Sequence, residues 1–68
     1  MSDPQFTFGQ RVVNIWASAD NPHRVGFFVR RYKRESKLNR GWWNEVTDGK
    51  GDFWSTSDGG LRAAEAGE

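Results

Sequence analysis

Turn-forming residues interrupt this chain so often that no long helix fits inside it. Asp20-Asn21-Pro22-His23, Asp48-Gly49-Lys50-Gly51 and Ser57-Asp58-Gly59-Gly60 each combine residues that favour reversal of the backbone. Between these corners lie short runs rich in β-branched and aromatic residues, the composition of strands. The runs predict strands from Gln10 to Trp16, Val25 to Arg34, Trp42 to Thr47 and Asp52 to Thr56, with Leu61 on a short closing strand. Asp48-Gly49 is a hairpin signal, because the tight turn needs positive φ and glycine supplies it without steric cost. Five short strands with turns every eight to twelve residues predict an all-β fold, a small five-stranded barrel or sandwich.

The core of such a fold has few sources. A chain of 68 residues makes one domain with little interior, and no Cys is present to form a disulfide or a thiolate zinc site. A single histidine, His23, does not make an imidazole cluster. The aromatic residues Phe6, Phe8, Trp16, Phe27, Phe28, Tyr32, Trp42, Trp43, Phe53 and Trp54 are therefore expected to build the core. Residues 1–5 are expected to be a flexible leader, 6–62 the β-barrel domain, and 63–68 an acidic flexible tail whose Ala63-Ala64-Glu65-Ala66 is too short for a helix by itself. No apolar run approaches the ~20 residues that span a bilayer, and no signal-peptide pattern follows the first Met, so a soluble, cytoplasmic protein is expected.

Charge is distributed unevenly. Seven of the ten basic residues lie between Arg24 and Arg40 against the single acid Glu35, so that stretch carries +6 while the chain as a whole carries +1. Within it, alternation assigns Val25, Phe27 and Val29 to the core face of a strand and Phe28, Arg30, Tyr32 and Arg34 to the opposite face. Past Val29 the core parity continues as Arg31 and Lys33, so the strand is expected to outrun the core and project as a basic hairpin or loop. Arginine grips phosphates through a fixed fork of donors, and aromatic faces stack on unpaired bases. Arg24, Phe28, Arg30, Arg31, Tyr32, Lys33, Arg34, Lys37, Arg40 and Trp42 thus form a candidate face for RNA or DNA, dominated by phosphate contacts and weak in sequence preference. The same face suits an acidic surface of a partner protein, in which case the chain is an adaptor, inhibitor or regulator. A third reading is an edge strand that charge protects from self-pairing. Trp42 and Trp43 must point to opposite faces of a strand, one toward the core and one outward.

The run Gly41-Trp42-Trp43-Asn44-Glu45-Val46-Thr47-Asp48-Gly49-Lys50-Gly51-Asp52-Phe53 resembles the middle of a Src-homology-3 domain, where a Gly-Trp-Trp strand, a glycine-containing turn and a Gly-x-Phe strand follow one another. Gly9-Gln10-Arg11-Val12-Val13 is similar to the opening of bacterial Src-homology-3-like and KOW-type barrels. Together the matches cover about a third of the chain. The resemblance implies a Src-homology-3-like barrel and an outward Trp42 lining a groove. The residues that shape a proline-rich-peptide groove in that family are missing, since Trp54-Ser55-Thr56-Ser57 follows Phe53 and a basic loop precedes the tryptophans. Size and style are also compatible with a phage- or prophage-type accessory protein.

Catalytic patterns are missing. His23 beside Asp20 has no positioned nucleophile and is expected to cap its loop. Asp48 and Asp52 are too few oxygen ligands for a calcium loop, and there is no phosphate-cradling glycine motif or nucleophile elbow. The chain is thus expected to be a non-enzymatic binding module with no cofactor. A homodimer through an unprotected strand from Val25 to Val29 is a further expectation.

Overall fold

A computed structural model describes residues 6–38 and 40–68; the expected leader, residues 1–5, lies outside the described residues. Five strands are present, β1 (Arg11–Asn14), β2 (Val25–Glu35), β3 (Arg40–Thr47), β4 (Phe53–Ser57) and β5 (Leu61–Ala63), with a 3-10 turn at Asp58–Gly60 and no α-helix among the described residues. They form one antiparallel sheet in the order β4-β3-β2-β1-β5, whose edges are β4 and β5. In a flat sheet those edges would be about 19 Å apart, four strand spacings. Yet Leu61 of β5 belongs to the same apolar cluster as Phe6, Val12, Phe28 and Val46, and Trp54 of β4 packs against that cluster. The sheet is therefore strongly curled around a single core.

Each strand forms where the turn chemistry permits. Asp48 Oδ1 accepts hydrogen bonds from the backbone N–H of Lys50 (2.7 Å) and of Asp52 (3.1 Å), and Gly49 takes φ of 76°, which closes the β3–β4 hairpin. The Lys50 N–H bond is the main reason that the Asp48 carboxyl titrates below its ordinary value.

The core differs from the aromatic one that composition suggests. Phe6 and Phe28 are the buried aromatics, tilted against each other at 5.7 Å, and the remaining buried apolar residues are Val12, Val13, Ala17, Val46 and Leu61. Phe8, Trp16, Trp42 and Phe53 are exposed. Neither tryptophan of the Trp42-Trp43 pair is buried.

The alternation of β2 is also reversed in its first half. Gly26 and Phe28 face inward, whereas Val25, Phe27 and Val29 are half-exposed. The cause is close strand approach at Gly26: a Cβ there would lie 2.7 Å from Val46 Cγ1 and 2.8 Å from both the Thr47 carbonyl oxygen and a Trp54 ring carbon. Only glycine leaves room for β3 and the Trp54 ring, and Phe28 then fills the core one step further on. A β-bulge follows. Phe28 pairs with Val46 but Arg30 pairs with Glu45, leaving Val29 as the extra residue. A bulge shifts side-chain parity by one. Beyond it Arg31 and Lys33 share the face of Asn44 and Trp42, while Arg30, Tyr32 and Arg34 share the opposite face with Glu45 and Trp43.

β2 is an inner strand, paired to β1 through residues 25–27 and to β3 from residue 27 onward. The expected homodimer through residues 25–29 therefore has no open strand there. After residue 28, β2 and β3 continue together as a hairpin; β4 flanks β3 along residues 43–47, so the pair runs past β4 at residues 33–35 and 40–42, and the molecule measures 35 × 22 × 22 Å.

Candidate functional site

The hairpin sorts the expected binding residues into three groups. Phe28 leaves the face altogether, being 3% exposed in the core. Arg24 turns inward over the loop of residues 15–24, where its Nη1 donates to the carbonyl oxygens of Ala17 (2.6 Å) and Asn14 (3.3 Å). Arg31 is held as well. Its side chain is 7% exposed and makes a two-pronged ion pair with Asp58, Nε to Oδ1 at 3.0 Å and Nη2 to Oδ2. Asn44, itself buried, donates from Nδ2 to the same Asp58 Oδ1 at 3.0 Å. The Arg31 hydrogen bond, assisted by Asn44, lowers the Asp58 carboxyl below its ordinary 3.8. These two arginines act as struts.

The second group forms a stack on the outer face. The Arg30 guanidinium lies 4.6 Å from the centre of the Tyr32 ring, and Arg34 lies 5.7 Å from Tyr32 and 4.6 Å from Trp43. Glu45 holds Arg30 by an Nε–Oε1 contact of 2.8 Å. The Tyr32 hydroxyl shares a hydrogen bond with Ser55 Oγ at 2.8 Å, which fixes the ring against β4. Trp43, opposite Tyr32 in the ladder, thus completes the row that the sequence pattern assigned to Trp42. Trp42 lies on the other face, 37% exposed and with the Arg31 guanidinium 4.5 Å over its ring.

The third group is Lys33, Lys37 and Arg40, at the end of the hairpin. Lys33, Arg34, Glu35, Arg40 and Gly41 line an open cleft of about 290 Å³. Among the described residues, Lys33, Arg34, Lys37 and Arg40 have no carboxylate in ion-pair range. Four cations are therefore available at one end of the molecule, with Glu35 as the acid beside them.

Other candidates resolve as structure. His23 stacks flat on Trp54, 4.2 Å between centres and 6° between planes, with Nε2 3.5 Å from Asp52. The loop is capped by Asn21, whose Oδ1 accepts from the His23 backbone N–H at 2.8 Å. No group of three or more His, Asp or Glu residues among those described is placed to hold a metal ion, and no described helix is long and apolar enough to cross a membrane. The C-terminal Glu68 folds back to pair with Arg62 at 2.7 Å.

Pattern reading overlooked Trp43, Glu45, Asn44 and Asp58. Trp43 and Glu45 were accessible to it, since pairing Glu35 with Arg40 across the hairpin loop sets Tyr32 against Trp43. Asp58 left no such trace, because it lies 27 residues from Arg31 and looks like an ordinary turn residue. The chain matches no family model, no curated protein and no solved structure.

Proposed function

We propose that this chain is a non-enzymatic binding module of the Src-homology-3-like barrel kind that holds nucleic acid on its projecting hairpin. Support for the barrel reading comes from the meandering strand order, the return of β5 to β1 after a 3-10 turn, and the single core to which all five strands contribute. The observation that carries the functional reading is the set of four cations without carboxylate partners among the described residues: Lys33, Arg34 and Arg40, which line the hairpin-end cleft, and Lys37 in the hairpin loop. Edge protection requires fewer charges than this and no cleft.

The geometry also sets a number. The seven basic residues from Arg24 to Arg40 suggest seven phosphate contacts, but Arg24 and Arg31 are held internally and Arg30 by Glu45. Four contacts remain. The logarithm of the association constant should then fall with the logarithm of salt concentration at a slope of about −3.6 on duplex DNA. Fluorescence anisotropy across a salt series measures this slope. Arg34→Ala with Arg40→Ala should halve it. Absence of binding to any nucleic acid at ~50 mM salt would overturn the reading.

A protein partner is the second reading, favoured by the loop after β1, where Ile15 is 43% and Trp16 71% exposed side by side. A stoichiometric partner retained after nuclease treatment and lost on Trp16→Ser would establish it in place of the first.

A further inference from the structure

We infer that the hairpin binds the backbone of double-helical nucleic acid and takes no unpaired base onto its aromatic rings. The inference rests on the nucleic-acid reading above and specifies its ligand. Tyr32 has the Arg30 and Arg34 guanidiniums against it, Trp43 has Arg34, and Trp42 has Arg31. Each aromatic ring on the hairpin therefore already carries a cation from the chain itself. A base stacking on Tyr32 or Trp43 would gain about 1–3 kcal/mol. It would first displace a cation–π contact of about 0.5–2 kcal/mol, which leaves little net gain. Arg31 is also fixed by two bonds to Asp58, so the Trp42 face does not open. Phe53, an exposed aromatic without a guanidinium over it, pairs with Thr47, four strand residues from Trp43 or about 13 Å away.

The stacked arginines gain a different property. A guanidinium lying on a ring keeps its N–H edge free while losing much of its rotational freedom. Tyr32 and Trp43 thus act as positioning residues for Arg34, and the alternation of β2 spaces its outward side chains about 6.6 Å apart, a step similar to that between successive phosphates. A duplex hides its bases and presents phosphates at high density. Each contact then contributes about −0.9 to the salt slope, against about −0.7 on a single strand. For four contacts at ~50 mM salt this difference favours the duplex by about tenfold.

The test compares a short mixed-sequence DNA duplex with one of its separated strands, by anisotropy at ~50 mM salt and by quenching of tryptophan emission. The expected result is tighter duplex binding by about tenfold, with emission little quenched by either ligand. Tyr32→Phe, which retains the ring, should bind within about twofold of the parent, and Tyr32→Leu should weaken duplex binding about threefold, the loss of one exposed cation–π seat. Thermal melts confirm that both variants are folded. A single strand bound as tightly as the duplex, with quenched emission, overturns the inference and leaves the nucleic-acid reading standing. Equal binding by Tyr32→Phe and Tyr32→Leu overturns the positioning role. No binding of either DNA, nor of the RNA duplex and single strand of the same sequence, overturns both readings together.

Discussion

Removing the Asp58 carboxylate should take away more than half of this protein's stability. Arg31 is 7% exposed and its fork is filled by Asp58, which also accepts the Asn44 amide. Asp58→Ala removes the carboxylate that fills this fork while the guanidinium stays in the interior. Breaking a buried pair in this one-sided way costs about 3–5 kcal/mol. Asp58 keeps 32% of its own exposure, so water softens the loss and the low end applies, about 3 kcal/mol. A small domain has roughly 5 kcal/mol in total, so most of its stability would go. Urea denaturation followed by tryptophan emission reads the change directly. With m near ~1 kcal/mol/M, the midpoint should fall by about 3 M. A fall of less than about 1 M at constant m would refute the argument, because that is the size of an exposed surface pair. Replacing both partners, as Arg31→Met with Asp58→Leu, should recover much of the loss, since the desolvation cost disappears with the charges.

The same pair sets the acid behaviour. The Asp58 carboxyl titrates below 3.8 in the folded protein because Arg31 and Asn44 hydrogen-bond its charged form. Its stabilisation is therefore complete above the unfolded value and is lost as pH falls through the lower folded value. The urea midpoint of the parent should drop below about pH 4, and in Asp58→Asn this carboxyl's part of that drop should vanish.

Three further outcomes follow from the contacts. Gly26→Ala should destabilise by about 1–3 kcal/mol in the same urea assay, because the new methyl meets the Thr47 carbonyl oxygen as well as movable side chains. Glu45→Gln should strengthen DNA binding, since it frees Arg30 and removes a negative charge from the outer face; the salt slope should steepen from about −3.6 to about −4.5. The Glu68 carboxyl should titrate at about 2 by carbon NMR, held down first by its hydrogen bond from Arg62 and then by the Glu65 N–H.

The turns and strands were largely legible in the sequence because their causes are local. Asp48-Gly49 predicts a hairpin through the geometry of a few residues, and the hairpin is there. The common face of Arg30, Tyr32 and Arg34 was legible for the same reason, since alternation holds within any uninterrupted stretch of strand. It failed at Phe28, because the bulge at Val29 lies between that residue and the row. Before the bulge, Gly26 puts the even-numbered residues on the core, and a valine-rich odd set, Val25, Phe27 and Val29, gives the opposite impression.

Local periodicity by itself thus determined an all-β chain, its corners, the cationic hairpin and the row of alternating arginine and tyrosine. Only the tertiary structure decided which cations remain available. Arg24 is used by loop carbonyls, Arg31 by Asp58 and Arg30 by Glu45, across separations of up to 27 residues. Asp58 follows Ser57, which pairs with Trp43 of β3, and the bulge puts Arg31 on the face of Asn44, which bonds the same carboxylate. Pairing of that kind depends on where distant strands meet in space, which composition and alternation do not encode.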